Sequence, residues 1–180
     1  MIHMKRKKPA TYIELIQLRG TANYLFSCDI GEFIFPSGID IVYSKSNKPK
    51  HIFLGDELIA TIRPHDGYVI LSEFGFALLL KKLKSEKISC IKKILVRDDI
   101  VPHLKKYKTL FAKHIVDVSP NIRPQEEVII INSKGEVLAV GRALLNGEEM
   151  VAFKRGVAVK VRVGKNKVKK LEEYSISEDD

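Results

Sequence analysis

The tract VAVKVRVG (157–164) alternates with period two. Val157, Val159, Val161 and Val163 fall on one face, and Ala158, Lys160 and Arg162 on the other. Successive side chains of a β-strand point to opposite sides, so this pattern calls for a strand with one dry face and one basic face. The chain has to build the rest of an apolar interior against those valines.

The sequence around this strand breaks into short elements. IKKILV (91–96) reads as a strand. Asp98–Lys106 reads as a short helix, with Asp98 or Asp99 as its cap and Pro102 tolerated in the first turn. LFAKHIVDVS (110–119) reads as one strand. EEVIIIN (126–132) and EVLAVGRALL (136–145) form a strand pair around the tight turn Ser133-Lys134-Gly135. NGEEMVAFKR (146–155) is a small helix, with Gly156 placed as the residue just past its end. Many short strands and two small helices in about 75 residues predict a small closed β-barrel. Closure also hides the edge of VIII (128–131), which would otherwise invite aggregation.

The first half is patterned differently. Lys5-Arg6-Lys7-Lys8 and Pro9 open the chain, and residues 1–10 read as a mobile basic arm, solvated or touching RNA. Thr11 and Glu14 have the spacing of a capping box. Ile13, Leu15, Ile16, Ala22, Leu25 and Phe26 then recur at helical spacing, with Gly20 expected to break or bend the helix. Short strands follow at FIF (33–35), IDIVYS (39–44), HIFL (51–54), ELIATIR (57–63) and YVIL (68–71). Gly55-Asp56 and Pro64-His-Asp-Gly67 mark turns between them. Residues 72–84 read as a helix with a basic C-terminal end that suits its dipole. Residues 11–88 therefore form a small α+β domain, and residues 89–166 a second domain.

Charge separates the two halves further. Residues 1–90 hold 13 Lys/Arg and 9 Asp/Glu, residues 91–170 hold 18 and 8, and the last ten residues hold five acids and no base. The whole chain carries a net charge of +9. Nucleic acid or an anionic membrane surface are the usual partners of such a balance, and a merely Lys-rich protein is the bland alternative. The N-terminus lacks the apolar segment of a signal peptide, and no apolar run is long enough to span a bilayer. Residues 167–180 form an acidic tail. It could shield the basic face, in which case removing residues 171–180 should tighten RNA binding.

Cys28 and Cys90 belong to no CxxC motif, and no His pair with ligand spacing joins them. Reduced thiols and a cytoplasmic setting are expected, with no metal site. His65-Asp66 lies between Pro64 and Gly67 and reads as a turn rather than an acid–base dyad. His114 sits on a strand and reads as a packed or surface histidine. Glu148 and Glu149 are adjacent on a helix and diverge around it, which makes them a poor carboxylate pair. There is no GxGxxG and no P-loop, so no cofactor is implied.

Four segments, in order and spacing, resemble a PUA domain, the RNA-binding module of pseudouridine synthases and archaeosine transglycosylases. They are LFAKHIVDV, IRPQEEVIIIN, EVLAVGRALL and EEMVAFKRGVAVKVR. The version they resemble stands at the C-terminus of archaeal archaeosine tRNA-guanine transglycosylase. LRGTANYLF (18–26), FPSGIDIVYSKSNKPKHIF and IATIRPHDGYVILSEFGFALLL are similar to the domain that precedes PUA in that enzyme. The resemblance covers about 150 residues and implies an α+β fold: a small α+β domain, then a PUA-type mixed β pseudo-barrel with two short helices. The enzyme's catalytic TIM barrel and Cys-rich zinc site have no counterpart here, and the chain is too short for such a barrel. The resemblance thus implies an RNA-binding module standing alone, not an enzyme.

RNA contact is expected where basic residues collect. Lys160 and Arg162 face outward from the last strand, Arg142 lies on the preceding one, and Lys154 and Arg155 close the adjacent helix. Lys105, Lys106, Lys108 and Lys113 flank the first helix and second strand of the PUA-like part. Such residues hold phosphates without reading sequence. Tyr107 stands where the family usually has a glycine that lets backbone approach RNA. Either it stacks on an unpaired base or it packs on its own domain.

Three functions follow as expectations. The first is a non-catalytic RNA-binding protein that holds tRNA near its acceptor stem and 3′ end, working with a separate catalytic subunit of an archaeosine-forming enzyme. The second is a ribosome-biogenesis adaptor that binds ribosomal RNA. The third is a small tRNA-modifying enzyme with its site in residues 11–88, against which the lack of a polar constellation there argues.

Overall fold

The computed structural model describes residues 7–85, 89–106 and 108–164, with only the backbone of residues 85, 105 and 106. The first unit begins with strand β1 (Lys8–Pro9) and helices α1 (Tyr12–Phe26) and α2 (Gly31–Ile34). Strands β2 (Asp40–Tyr43), β3 (Pro49–Leu54), β4 (Glu57–Ile62) and β5 (Val69–Leu71) follow, and helix α3 (Glu73–Ser85) closes the unit. The five strands form one antiparallel sheet in sequence order.

The capping box is present. Thr11 N donates to Glu14 Oε2 at 2.9 Å, and Glu14 N donates to Thr11 Oγ1 at 3.3 Å. Contrary to expectation, α1 runs unbroken through Gly20 and stops at Ser27, whose φ is 49°. Leu18, Ala22, Leu25 and Phe26 are buried on the inner side of α1. Burying such side chains stabilises by about 1.5–3 kcal/mol each, more than the roughly 1 kcal/mol an exposed helical glycine costs.

Residues 33–35, expected as a strand, instead fall in and just after α2. Asn23 Oδ1 accepts from the N–H groups of Ile30 and Gly31 at 2.9 and 2.5 Å, which anchors the start of that turn. Ile34 and Phe35 are fully buried, and a short apolar run does not by itself distinguish strand from helix. The segment expected as a mobile arm is also partly ordered. Lys8 and Pro9 pair with Ile41 and Asp40, and Lys7 Nζ sits 2.9 Å from Asp56 Oδ1. Residues 1–6 of that arm lie outside the described residues.

The second unit starts with β6 (Lys93–Val96) and a 3₁₀ turn at Asp98–Ile100 that leads into α4 (Val101–Lys106). Then come β7 (Thr109–Phe111), a second 3₁₀ turn at Ala112–His114, and β8 (Ile115–Val118). Strands β9 (Glu127–Ile131) and β10 (Val137–Ala143), helix α5 (Gly147–Ala152) and β11 (Val157–Gly164) complete it. The sheet order is β7-β11-β10-β9-β6-β8, with β6 and β9 parallel.

That order explains a correction. Residues 110–119 are not one strand but two, β7 and β8, at opposite ends of the sheet. The turn at Ala112–His114 carries the chain from one end to the other and so curls the sheet towards closure. Ala112 is buried at this corner, and its N–H donates to Gly156 O at 3.0 Å. The small helix α5 has its own capping box between Asn146 and Glu149. It ends at Ala152 with Phe153 as cap, so Gly156 is not its terminating residue. Gly156 takes φ 99° in the turn into β11.

The two units share a core. Ile91, Ile129, Val140 and Val163 pack in one apolar cluster with α1, α3 and the first sheet, while Ile94, Val128, Ile130, Val159 and Val161 fill the barrel interior. The valines of β11 therefore do not all face one way. Val140 pairs with Val163 and Gly141 pairs with Val161, so Arg162 is the extra residue of a β-bulge. The bulge moves Val163 out of the barrel and into the core between the units.

Cys28 and Cys90, expected to be reduced, are joined by a disulfide across 62 residues of sequence, with Cα atoms 5.3 Å apart. One cysteine follows α1 and the other precedes β6, so only the docking of the two units brings them together. Cysteine chemistry thus lends no support to the expected cytoplasmic setting. Among the described residues, no helix is long and apolar enough to cross a membrane.

Candidate nucleic-acid interface

The basic residues singled out in the sequence fall into two groups. Lys108, Lys113, Lys154, Arg155 and Lys160 are exposed. Pairing of β7 with β11 gathers them: Lys160 lies opposite Thr109, next to Lys108, and Val157 lies opposite Phe111. The turn carrying Lys154 and Arg155 meets the corner that carries Lys113, through the hydrogen bond from Ala112 N to Gly156 O. The edge formed by β7 and β11 is therefore lined with cations. Lys105 and Lys106 stand on α4, but their side chains lie outside the described residues, as does Tyr107.

Two aromatic side chains absent from the sequence-based set belong to this edge. Phe111 on β7 is 41% exposed, and Phe153 at the end of α5 is 47% exposed. Large apolar rings left in water beside cations are the arrangement single-stranded nucleic acid uses, with phosphates on the charges and bases on the rings. Alternation against the buried Leu110 is the sequence signal that places Phe111 on the outer face of β7. His114 at the same corner is half-buried, and burial together with Lys113 holds its pKa below the ordinary value. It lies in the 3₁₀ turn rather than on the strand expected for it.

Arg142 and Arg162 behave differently. They lie at the seam between the units rather than on a free face. Tyr68, just ahead of β5, is buried there and inserts its ring among three guanidinium groups. Those of Arg63, Arg142 and Arg162 lie 4.8, 5.7 and 5.8 Å from the ring centre. The Tyr68 hydroxyl donates to Glu127 Oε1 at 2.9 Å or to Gln125 O at 2.8 Å. Burial and the neighbouring Glu127 charge push the Tyr68 pKa up. Burial likewise pushes Glu127 up, to about 7, against the pull of Tyr68 and the arginines.

Its neighbour in sequence is shifted the other way. Glu126 points into a second cluster at the seam, where Ser27 Oγ, Lys92 Nζ and Arg123 Nε stand 2.7, 2.9 and 2.8 Å from its carboxylate oxygens. Burial alone would raise its pKa, but these hydrogen bonds and the Arg123 N–H outweigh burial and bring it down to about 2. His65-Asp66 is a turn, as read. Asp66 Oδ1 accepts from Tyr68 N at 3.1 Å and from Arg63 Nε at 3.0 Å, while the His65 ring is largely in solvent.

Comparison with known proteins bears on what this interface holds. Residues 92–164 match the PUA domain family, and residues 17–86 match the family described as patch-forming domain C2 of tRNA-guanine transglycosylase. The chain is 38% identical over 155 residues to the tRNA-guanine(15) transglycosylase of Methanothermobacter thermautotrophicus, a match over 86% of this chain and 23% of that protein. It is 36% identical over 146 residues to the enzyme of Thermococcus kodakarensis, over 81% of this chain and 24% of that one. The chain thus spans about a quarter of the length of the curated relatives it matches. Among solved structures, a hypothetical protein of Pyrococcus horikoshii superposes with a TM-score of 0.65 at 22% identity, covering 88% of this chain and 94% of that one. A PUA domain protein of Thermoplasma acidophilum gives 0.58 at 22% identity, over 87% and 91%. These two likenesses establish the fold.

Proposed function

We propose that this chain, a C2 patch-forming domain followed by a PUA domain as in the C-terminal part of archaeal tRNA-guanine(15) transglycosylases, is an RNA-binding protein of tRNA modification. The observation that carries the reading is the end of the sheet at β7 and β11, where the exposed cations Lys108, Lys113, Lys154, Arg155 and Lys160 and the exposed rings Phe111 and Phe153 stand on neighbouring segments. The lysines and Arg155 neutralise phosphates and set the register of the RNA. The two rings take unstacked bases, which a single-stranded 3′ end offers and a duplex does not. tRNA held by its acceptor stem and 3′ end fits this edge.

The role is non-catalytic in this reading: the two matched families are a PUA domain and a patch-forming domain, and the basic and aromatic residues at β7 and β11 are suited to holding RNA. In this reading the protein raises the tRNA affinity of a catalytic partner. The test is tRNA binding with and without the 3′ CCA end over a salt series. Contact with about five phosphates gives a log–log slope of roughly −3.5 to −4.5. A slope of that size with marked loss on trimming the CCA supports the reading. Binding indifferent to tRNA, or co-purification with pre-ribosomal particles, overturns it in favour of a ribosomal adaptor.

A further inference from the structure

The seam between the units holds more positive charge than the protein itself uses. The guanidinium groups of Arg142 and Arg162 donate no hydrogen bond to any acceptor among the described residues. Arg142 Nε and Arg162 Nε and Nη2 are all buried without a partner. One carboxylate faces them, and it does not satisfy them. Glu127 Oε1 lies 3.8 Å from Arg162 Nε, beyond hydrogen-bond reach, and already accepts from Tyr68. Arg63 is the third cation around the same ring, and it is taken by Asp66.

Packing explains why the guanidiniums stay in place. The Tyr68 ring keeps them 5.7 and 5.8 Å from its centre, and the bulge turns Arg162 towards it, with no acceptor in hydrogen-bond reach of the buried nitrogens. Buried donors left unpaired are costly, and the charged ones most of all. The Arg162 side chain keeps 15% of its surface exposed, and Lys160, cross-strand partner of Arg142, is exposed beside it. Arg142 and Arg162 are both only half-buried, so each guanidinium keeps part of its surface open to solvent while the nitrogens named above are covered. A group that satisfies guanidinium forks is planar or tetrahedral, anionic and rich in oxygen.

We infer that Arg142 and Arg162, set by Tyr68 and the β11 bulge, form a phosphate-binding site at the seam between the two units, and that it takes a backbone phosphate of the bound RNA. The source of the phosphate rests on the RNA-binding reading above; the site itself rests on the unpaired arginines. The RNA would then run from the exposed edge of β7 and β11 across Lys160 to the seam, and the first unit would take part in binding by holding the arginines through Tyr68.

The full chain is tested in two arms. In the first, tRNA affinity is measured over a salt series for wild type, Arg142→Gln, Arg162→Gln and Glu127→Gln, with thermal unfolding of each. Each arginine variant should bind about tenfold more weakly, with a slope shallower by about 0.7–0.9. Its melting temperature should hold or rise, because a donor without an acceptor is lost. Glu127→Gln removes the competing anion and should tighten binding severalfold. In the second arm, inorganic phosphate is titrated while the arginine Nε–H resonances are followed by NMR.

Wild-type binding of tRNA with unchanged affinity and slope in both arginine variants overturns the site and leaves the RNA reading standing. A drop in melting temperature with unchanged RNA binding shows the arginines to be structural and also overturns it. No tRNA binding by wild type, with phosphate shifting the arginine signals, keeps the site but assigns it a free phosphate group. Neither tRNA binding nor a phosphate response overturns both.

Discussion

The hydroxyl of Tyr68 in the first unit stands 2.9 Å from Glu127 Oε1 in the second, and this contact joins the two units at a carboxylate that is almost fully buried. No other hydrogen bond to the Glu127 side chain is present among the described residues, so the tyrosine is its one hydrogen-bond donor there, beside the charges of Arg63, Arg142 and Arg162. Tyr68→Phe should keep the ring among the arginines and lose the donor. The expected loss of stability is about 1–3 kcal/mol in chemical denaturation, the cost of leaving a buried acceptor unsatisfied. A change under 0.5 kcal/mol would mean that water already serves Glu127.

The seam should also respond to pH in two opposite ways. The pKa of Glu126 falls to about 2 in the folded chain, so its contribution is present above the ordinary value of 4.5 and lost as pH falls through 2. That of Glu127 rises to about 7, so its contribution is present below 4.5 and lost as pH rises through 7. Each is worth up to about 3 kcal/mol by linkage. The groups facing Glu127 are Tyr68, Arg63, Arg142 and Arg162. Denaturation at pH 3, 4.5 and 7.5 should show highest stability near 4.5 from this pair. In Glu127→Gln the decline between pH 4.5 and 7.5 should shrink; an undiminished decline would locate it elsewhere.

The Cys28–Cys90 disulfide closes a long loop between the end of α1 and the approach to β6. Restricting the unfolded chain in this way is worth about 4 kcal/mol in the chain-entropy account, and often less in practice. Cys90 is exposed, so Cys90→Ser removes the bond with little loss of packing. The melting temperature should fall by several degrees, and adding reductant to wild type should reproduce the fall. Equal melting with and without reductant would show that the bond adds nothing.

Gly141 admits no larger residue. A β-carbon there would stand 2.7 Å from Val159 Cγ1 and 2.8 Å from Lys160 O, at the bulge that sets Arg162. Gly141→Ala should cost about 1–3 kcal/mol as an overpacked core does. By shifting β11 it should weaken RNA binding along with stability.

Phe153 lies at the exposed edge and contributes little to the core. Phe153→Ala should change stability by less than about 0.5 kcal/mol, as surface substitutions do. It should weaken binding of single-stranded RNA by about 1–3 kcal/mol if a base stacks there. Fluorescence titration with a short oligonucleotide measures it, and unchanged affinity would remove Phe153 from the interface.

Local chemistry was legible in the sequence wherever neighbours in the chain determine it. The capping box at Thr11–Glu14, the start of a small helix at Asn146, the hairpin at Gly55-Asp56 and the turn around Asp66 need no distant partner. The strand periods gave the α+β class, and the ordered PUA-like segments gave the second unit. The sequence misled where two forms share one pattern: FIF at 33–35 is as compatible with a helical turn as with a strand, and Gly20 is tolerated because the buried side of α1 holds across it. It also misled at 110–119, since nothing local says that the chain turns a corner at Ala112 to join opposite ends of one sheet.

The sequence by itself determined which residues of β11 are apolar and which are basic, because alternation is a property of the strand alone. Tertiary structure decided what those residues meet. The bulge at Arg162, a product of pairing with β10, sends Val163 into the core between the units and turns Arg162 toward Tyr68. Docking of the units brings Cys28 to Cys90, Ser27 to Glu126 and Tyr68 to Glu127. These pairs are 62, 99 and 59 residues apart, and contacts over such distances depend on how two packed surfaces fit. No period or local propensity in the chain encodes that fit, so a basic face read from alternation became, at Arg142 and Arg162, the half-buried lining of a seam.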